Sequence, residues 1–119
     1  MAFSFEQAKI TKREWALLLA NSEESKLANF SDQLFDPKPV IKLFDCGGAA
    51  TWLITESDED GIAFGLCDLG FGFPELGSVS LPVIVKELGW RLDKDQYFKA
   101  EHKLAQYASI ARSNQRIIA

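Results

Sequence analysis

Val40-Ile41-Lys42-Leu43-Phe44, Asp45-Cys46-Gly47-Gly48 and Ala50-Thr51-Trp52-Leu53-Ile54-Thr55 form the stretch whose reading decides the fold. The first run is apolar and alternates with period two, which marks a strand. The second is turn chemistry, in which Gly-Gly supplies the positive φ of a tight hairpin. The third run is the partner strand. Glu56 to Gly61 is a short acidic loop, and Ile62-Ala63-Phe64-Gly65-Leu66-Cys67 is a third strand. Strands in succession with short connections predict an antiparallel meander.

Downstream, Gly77-Ser78-Val79 reads as a short fourth strand, and Ser80 as the cap of a helix carrying Leu81, Ile84, Val85 and Leu88 on one face. Pro82 fits that helix's first turn, where its missing N–H has no partner to lose. Gly89 ends the helix, Trp90 and Leu92 suggest a brief edge strand, and Leu104, Tyr107, Ala108 and Ala111 mark a last helix over 102–112. Upstream, Thr11 and Glu14 match a capping box for a helix that carries Trp15, Leu18 and Leu19 and stops at Asn21. Residues 22–38 read as irregular, with one helical turn near Leu27–Leu34. The expected fold class is therefore α+β, an antiparallel three- to four-stranded meander with helices packed against one face. Residues 1–119 read as a single domain, with a helix and irregular segment over 1–37 and a core over 38–117.

The 119 residues suffice for one core but not for two. The N-terminus lacks the basic and apolar runs of a signal peptide, and no stretch reaches the ~18 apolar residues of a membrane span, so a cytoplasmic location is expected. Cys46 and Cys67 are too few for a disulfide framework. Both read as reduced, with a bridge left open should they sit on neighbouring strands. Residues 44–80 hold seven acids and no base, whereas residues 81–119 hold seven bases and four acids. A nucleic-acid binder normally presents a basic patch, so direct binding to nucleic acid is disfavoured.

Several of these segments together resemble one bacterial family. They are Pro39 to Phe44, Ala50 to Glu56, Ala63 to Gly77, Val79-Ser80-Leu81, and Leu104 to Ala108 with Ala111-Arg112. The family is a domain of unknown function found in small proteins often carried on plasmids, integrative elements and phages. The resemblance covers residues 38–117 and is loose before them. Asp45 departs from it where a small residue followed by Pro is expected, as does the missing Ser or Thr cap before Leu104. It implies the fold and a bacterial mobile-element setting, and it brings no activity, cofactor or catalytic residue.

The segment Gly65 to Gly77 is the most unusual feature. Phe71 and Phe73 alternate with glycine between Asp68 and Glu75. Two readings apply: an exposed aromatic loop that grips a partner with acids on its rim, or a bulged connection whose phenylalanines plug the end of the sheet. The spacing matches neither G-x-G-x-x-G nor a Walker loop. Glu56, Asp68 and Glu75 are a weaker constellation, a carboxylate cluster for a divalent cation or for acid–base chemistry if they converge. Asp58-Glu59-Asp60 reads as a solvated turn, and His102, the sole histidine, as a surface residue. Trp15, Trp52 and Trp90 read as core, and Lys99, Lys103, Arg112 and Arg116 as balance for the acidic half. The sequence thus predicts a non-enzymatic accessory domain that binds another protein, with no metal and no cofactor. A metal-assisted hydrolase using Glu56, Asp68 and Glu75, and an acidic DNA mimic or nucleic-acid-associated factor, are the alternatives.

Overall fold

The structure is a computed structural model and describes residues 3–119. Its centre is a five-stranded antiparallel sheet of order β4-β3-β2-β1-β5. The strands are β1 (Ile41–Asp45), β2 (Thr51–Ser57), β3 (Ile62–Asp68), β4 (Glu75–Ser80) and β5 (Leu92–Lys94). The first four form the expected meander, and the brief edge strand after Trp90 is β5, which pairs Asp45 with Leu92 and Leu43 with Lys94.

Three helices flank the sheet: α1 (Lys12–Phe30), α2 (Leu81–Leu88) and α3 (Leu104–Asn114). They were expected on one face, but they divide between both. Trp52 and Ile54 of β2 join Ile41, Leu43 and Ala63 beneath Leu18 of α1 and Leu81 and Ile84 of α2. Leu53, between them in sequence, points the other way and packs with Leu66 against Leu104, Tyr107, Ala108 and Ala111 of α3. The physical reason is the unbroken apolar run Trp52-Leu53-Ile54. Side chains alternate across a strand, so such a run needs apolar cover on both sides.

α1 begins as the sequence predicts. Thr11 Oγ1 accepts the Glu14 N–H (3.2 Å), and the Glu14 carboxylate accepts the Thr11 N–H (2.9 Å). It does not stop at Asn21. The Asn21 side-chain amide instead donates to the Thr55 carbonyl (2.8 Å), tying the helix to β2. The helix continues to Phe30 and ends near Asp32, which takes the left-handed conformation (φ 58°). Residues 31–38 then carry the chain to α3, where the Asp36 carboxylate accepts the Ala105 N–H (3.0 Å) and the Pro37 carbonyl accepts the Leu104 N–H (3.0 Å). The cap that α3 lacks in its own sequence is supplied from 69 residues upstream.

β2 and β3 fall out of simple register between Ile54 and Glu56, a bulge at Thr55. Gly65 lies against the Leu53 carbonyl there, leaving no room for a Cβ. None of the helices among the described residues is long and apolar enough to cross a membrane.

Candidate interaction site

The registers place three connections at one end of the sheet. β1 runs into the turn after Asp45, β3 into the loop between Asp68 and Glu75, and the turn Gly89–Arg91 leads into β5 at Leu92. Each is fastened to the frame. Asp45 holds Arg91 through two side-chain bonds, Nε to Oδ1 (3.1 Å) and Nη2 to Oδ2 (3.0 Å), and also accepts the Gly47 N–H (2.9 Å). Arg91 beside it keeps the Asp45 carboxyl below the ordinary range. The departure from the family pattern at Asp45 therefore has a role: it pairs the β1–β2 turn with the strand beyond. The Cys46 N–H donates to the Arg91 carbonyl (2.8 Å) and closes the same junction.

The loop after β3 is fastened by Asp68. This side chain is buried (4% exposed); one oxygen accepts the Gly70 N–H (2.9 Å) and the other the Ile117 N–H (3.0 Å). Gly70 adopts φ 89° and abuts Ala49 of the neighbouring turn, so a Cβ at that position would come within 2.6 Å of the Ala49 Cβ. Between these anchors Phe71 and Phe73 are 78% and 77% exposed, with Leu69 also exposed. Pro74, the next residue after Phe73, is buried instead. Trp90, expected in the core, stands on the same end of the sheet at 83% exposure, while Trp52 is buried and Trp15 stacks on Phe5 with ring centroids 5.7 Å apart. The sequence pattern missed Trp90 because it follows Gly89 in a tight turn, outside any strand or helix period.

The acids do not form the expected rim. Asp68 lies inside the fold, and only Glu75 is exposed beside the phenylalanines. Nor do the three carboxylates converge. Glu56 pairs opposite Phe64, whereas Asp68 is four residues further along β3, about 13 Å at strand rise. Glu75 pairs opposite Cys67, one residue before Asp68 and so on the other face of the sheet. Among the described residues no three His, Cys, Asp or Glu side chains are grouped to hold a metal ion. Glu56 stands alone at the opposite end of the sheet. Partial burial raises its carboxyl above the ordinary range, and the Ser25 hydroxyl beside it offsets part of that rise.

Cys46 and Cys67 are free. Cys46 lies in the turn after β1 and directs its Sγ to the Arg91 carbonyl (3.1 Å) beside β5, whereas Cys67 lies in β3, beyond β2, and packs against the core. Burial also raises the Cys67 thiol. His102 packs edge-on to Tyr107 (5.1 Å), on the α3 side, whereas Cys67 lies opposite Trp52 on the other face.

Beside the same sheet end lies a cleft of about 580 Å³ lined by Phe44, Ala49, Thr51, Asp95 and Tyr97. Its charged groups are all paired: Lys42 with Asp95 (3.7 Å) within the cleft, and Asp93 with Lys9 (3.1 Å), Asp45 with Arg91 (3.0 Å) and Lys94 with Glu14 (2.6 Å) beyond it.

No curated protein and no solved structure shows significant similarity to this chain. A family profile does match, described as "Protein of unknown function (DUF2958)", over residues 9–118. It takes in α1, which the sequence resemblance covered only loosely. With nearly its whole length matched, the chain belongs to the DUF2958 family of proteins of unknown function.

Proposed function

We propose that this protein is a non-enzymatic accessory domain that binds another protein through the aromatic end of its sheet, in the bacterial mobile-element setting implied by the resemblance. The observation that carries the reading is the exposure of Phe71 and Phe73 on a loop whose two flanks are clamped by Asp68, Gly70 and Pro74. Large exposed aromatics bury much area on contact, and a loop fastened at its base has less backbone freedom to lose, the combination that favours binding hot spots. Trp90 and the Phe44–Tyr97 cleft extend the same apolar end.

The alternatives have less support. A carboxylate hydrolase needs Glu56 near Asp68, and the strand register holds them apart. A DNA mimic needs a continuous array of free acids, but Asp45 is occupied by Arg91 and Asp68 is buried. A photo-crosslinking residue at position 71 tests the reading. It should capture a discrete protein partner in cells that express this chain, while the same residue at the exposed position 83 on α2 should not. Equal labelling from both positions would count against the proposal.

A further inference from the structure

The opposite end of the sheet carries a second surface of different chemistry. α1 runs on past its last buried residues, Leu18 and Ser22, and residues 31–38 turn back toward α3. Between them and the sheet opens a groove of about 400 Å³ lined by Ser25, Phe35, Glu56, Ile62, Phe64 and Ser78. Ile62 is half exposed in its wall, and the almost fully exposed Phe30 and Leu34 adjoin groove residues in the chain.

Glu56 is the one charged group in a lining that sets Phe35, Ile62 and Phe64 among the polar Ser25, Asn29 and Ser78, and none of the ion pairs among the described residues includes it. A half-buried carboxylate without a cation is unfavourable in the free protein, and a ligand ammonium or guanidinium would relieve it. The turn that follows adds Asp58, Glu59 and Asp60, and the Lys26 of α1 is engaged by Glu23 (3.5 Å). The local field is therefore negative and attracts a cationic approach.

We propose that this groove binds a polypeptide segment presenting a Lys or Arg flanked by apolar side chains, the cation meeting Glu56 and the flanks meeting Phe35, Ile62 and Phe64. The site is independent of the aromatic end. A chain with both would join two partners from opposite ends of one sheet.

The test is an amide-resolved NMR titration with two probes, N-acetyl-Leu-Lys-Leu-amide and its analogue with norleucine in place of Lys. The lysine probe should shift the Ile62, Phe64 and Ser78 amides and bind about fivefold tighter than the norleucine probe, the upper range of a partly exposed ion pair. Glu56→Gln should abolish that preference, and Phe71→Ala/Phe73→Ala should leave it intact. Ile62→Lys, which places an ammonium at the groove wall from an exposed position, should abolish it as well. Equal affinity of the two probes, shifts centred on residues 69–74, a preference that survives both Glu56→Gln and Ile62→Lys, or no saturable shift at millimolar probe would overturn the proposal.

Discussion

The Asp68 carboxylate at the end of β3 accepts the backbone N–H of Ile117, 3.0 Å away and 49 residues later in the chain. Its other oxygen accepts the Gly70 N–H, so one buried side chain fixes both the aromatic loop and the segment after α3. An acid that looks like part of a binding rim is thus the fastening beneath it.

Asp68→Ala leaves two backbone donors without acceptors in a buried place. It should cost about 1–3 kcal/mol in urea unfolding. Asp68→Asn keeps one side-chain carbonyl and should cost less. Equal stability of all three proteins would show that the fastening does not contribute.

Asp45 and Glu56 should leave opposite marks on the pH dependence of stability. The folded-state pKa of Asp45 is lowered, mainly by its bond to Arg91, so its contribution is present above the ordinary carboxylate pKa and fades as pH falls through the lowered value. Arg91→Ala should therefore narrow the stability gap between neutral and acid solution. The folded-state pKa of Glu56 is raised by burial, so its contribution is full below the ordinary value and is lost as pH rises through the raised one. Glu56→Gln should stabilise the protein at pH 7, with the gain vanishing toward pH 3. Melting curves of the two variants across this range check both signs.

Gly65 faces the Leu53 carbonyl at the bulge between β2 and β3. Gly65→Ala must push the two central strands apart, and a loss of about 2 kcal/mol or more is expected, as for other over-packed cores. Gly77 has open space where its Cβ would be, and Gly77→Ala should change stability by less than about 0.5 kcal/mol. A reversal of that order would contradict the assigned bulge.

Asp36, in the segment between α1 and β1, caps α3 at the Ala105 N–H. Asp36→Ala should cost about 1 kcal/mol, the usual worth of a helix N-cap. Amide exchange should rise in the first turn of α3 while α2, capped locally by Ser80 (3.3 Å to the Val83 N–H), stays protected.

The meander and α2 are legible in the sequence because their signals are local: period-two runs, Gly-Gly, and Ser80 followed by i, i+3, i+4 spacing. Even the short β5 shows in the alternation around Leu92. What escapes is long-range. The division of helices between two faces follows from Trp52-Leu53-Ile54, which reads equally well as one good strand with a single buried side. The second half of α1 is held by the Asn21 bond to Thr55 rather than by an apolar stripe, so its polar residues give no periodic signal. The cap for α3 sits 69 residues from where a local search would find it.

For the candidate sites, the segment carrying Phe71 and Phe73 stands out in the sequence through its glycines, and its exposure does not. Gly70 and Gly72 both adopt positive φ, at 89° and 87°, a loop geometry that the alternation with phenylalanine does not by itself specify. Asp68 and Glu75 are near neighbours across the β3–β4 pair, yet pleating points them to opposite faces, and Glu56 is at the far end. Spacing alone does not reveal either fact, since both depend on register. Trp90 and the Glu56 groove carry no motif at all.

The most direct measurement compares proteins retained by the immobilised wild type and by Phe71→Ala/Phe73→Ala, using extract from cells that express the chain, with Phe30→Ala, at a still more exposed position, as the control. The account predicts that the double substitution changes stability by less than about 0.5 kcal/mol. It further predicts that a discrete partner held by the wild type and by Phe30→Ala is lost from the double variant. An identical retained set for all three proteins, with the double variant fully folded, would contradict the claim that the aromatic end of the sheet is a binding surface.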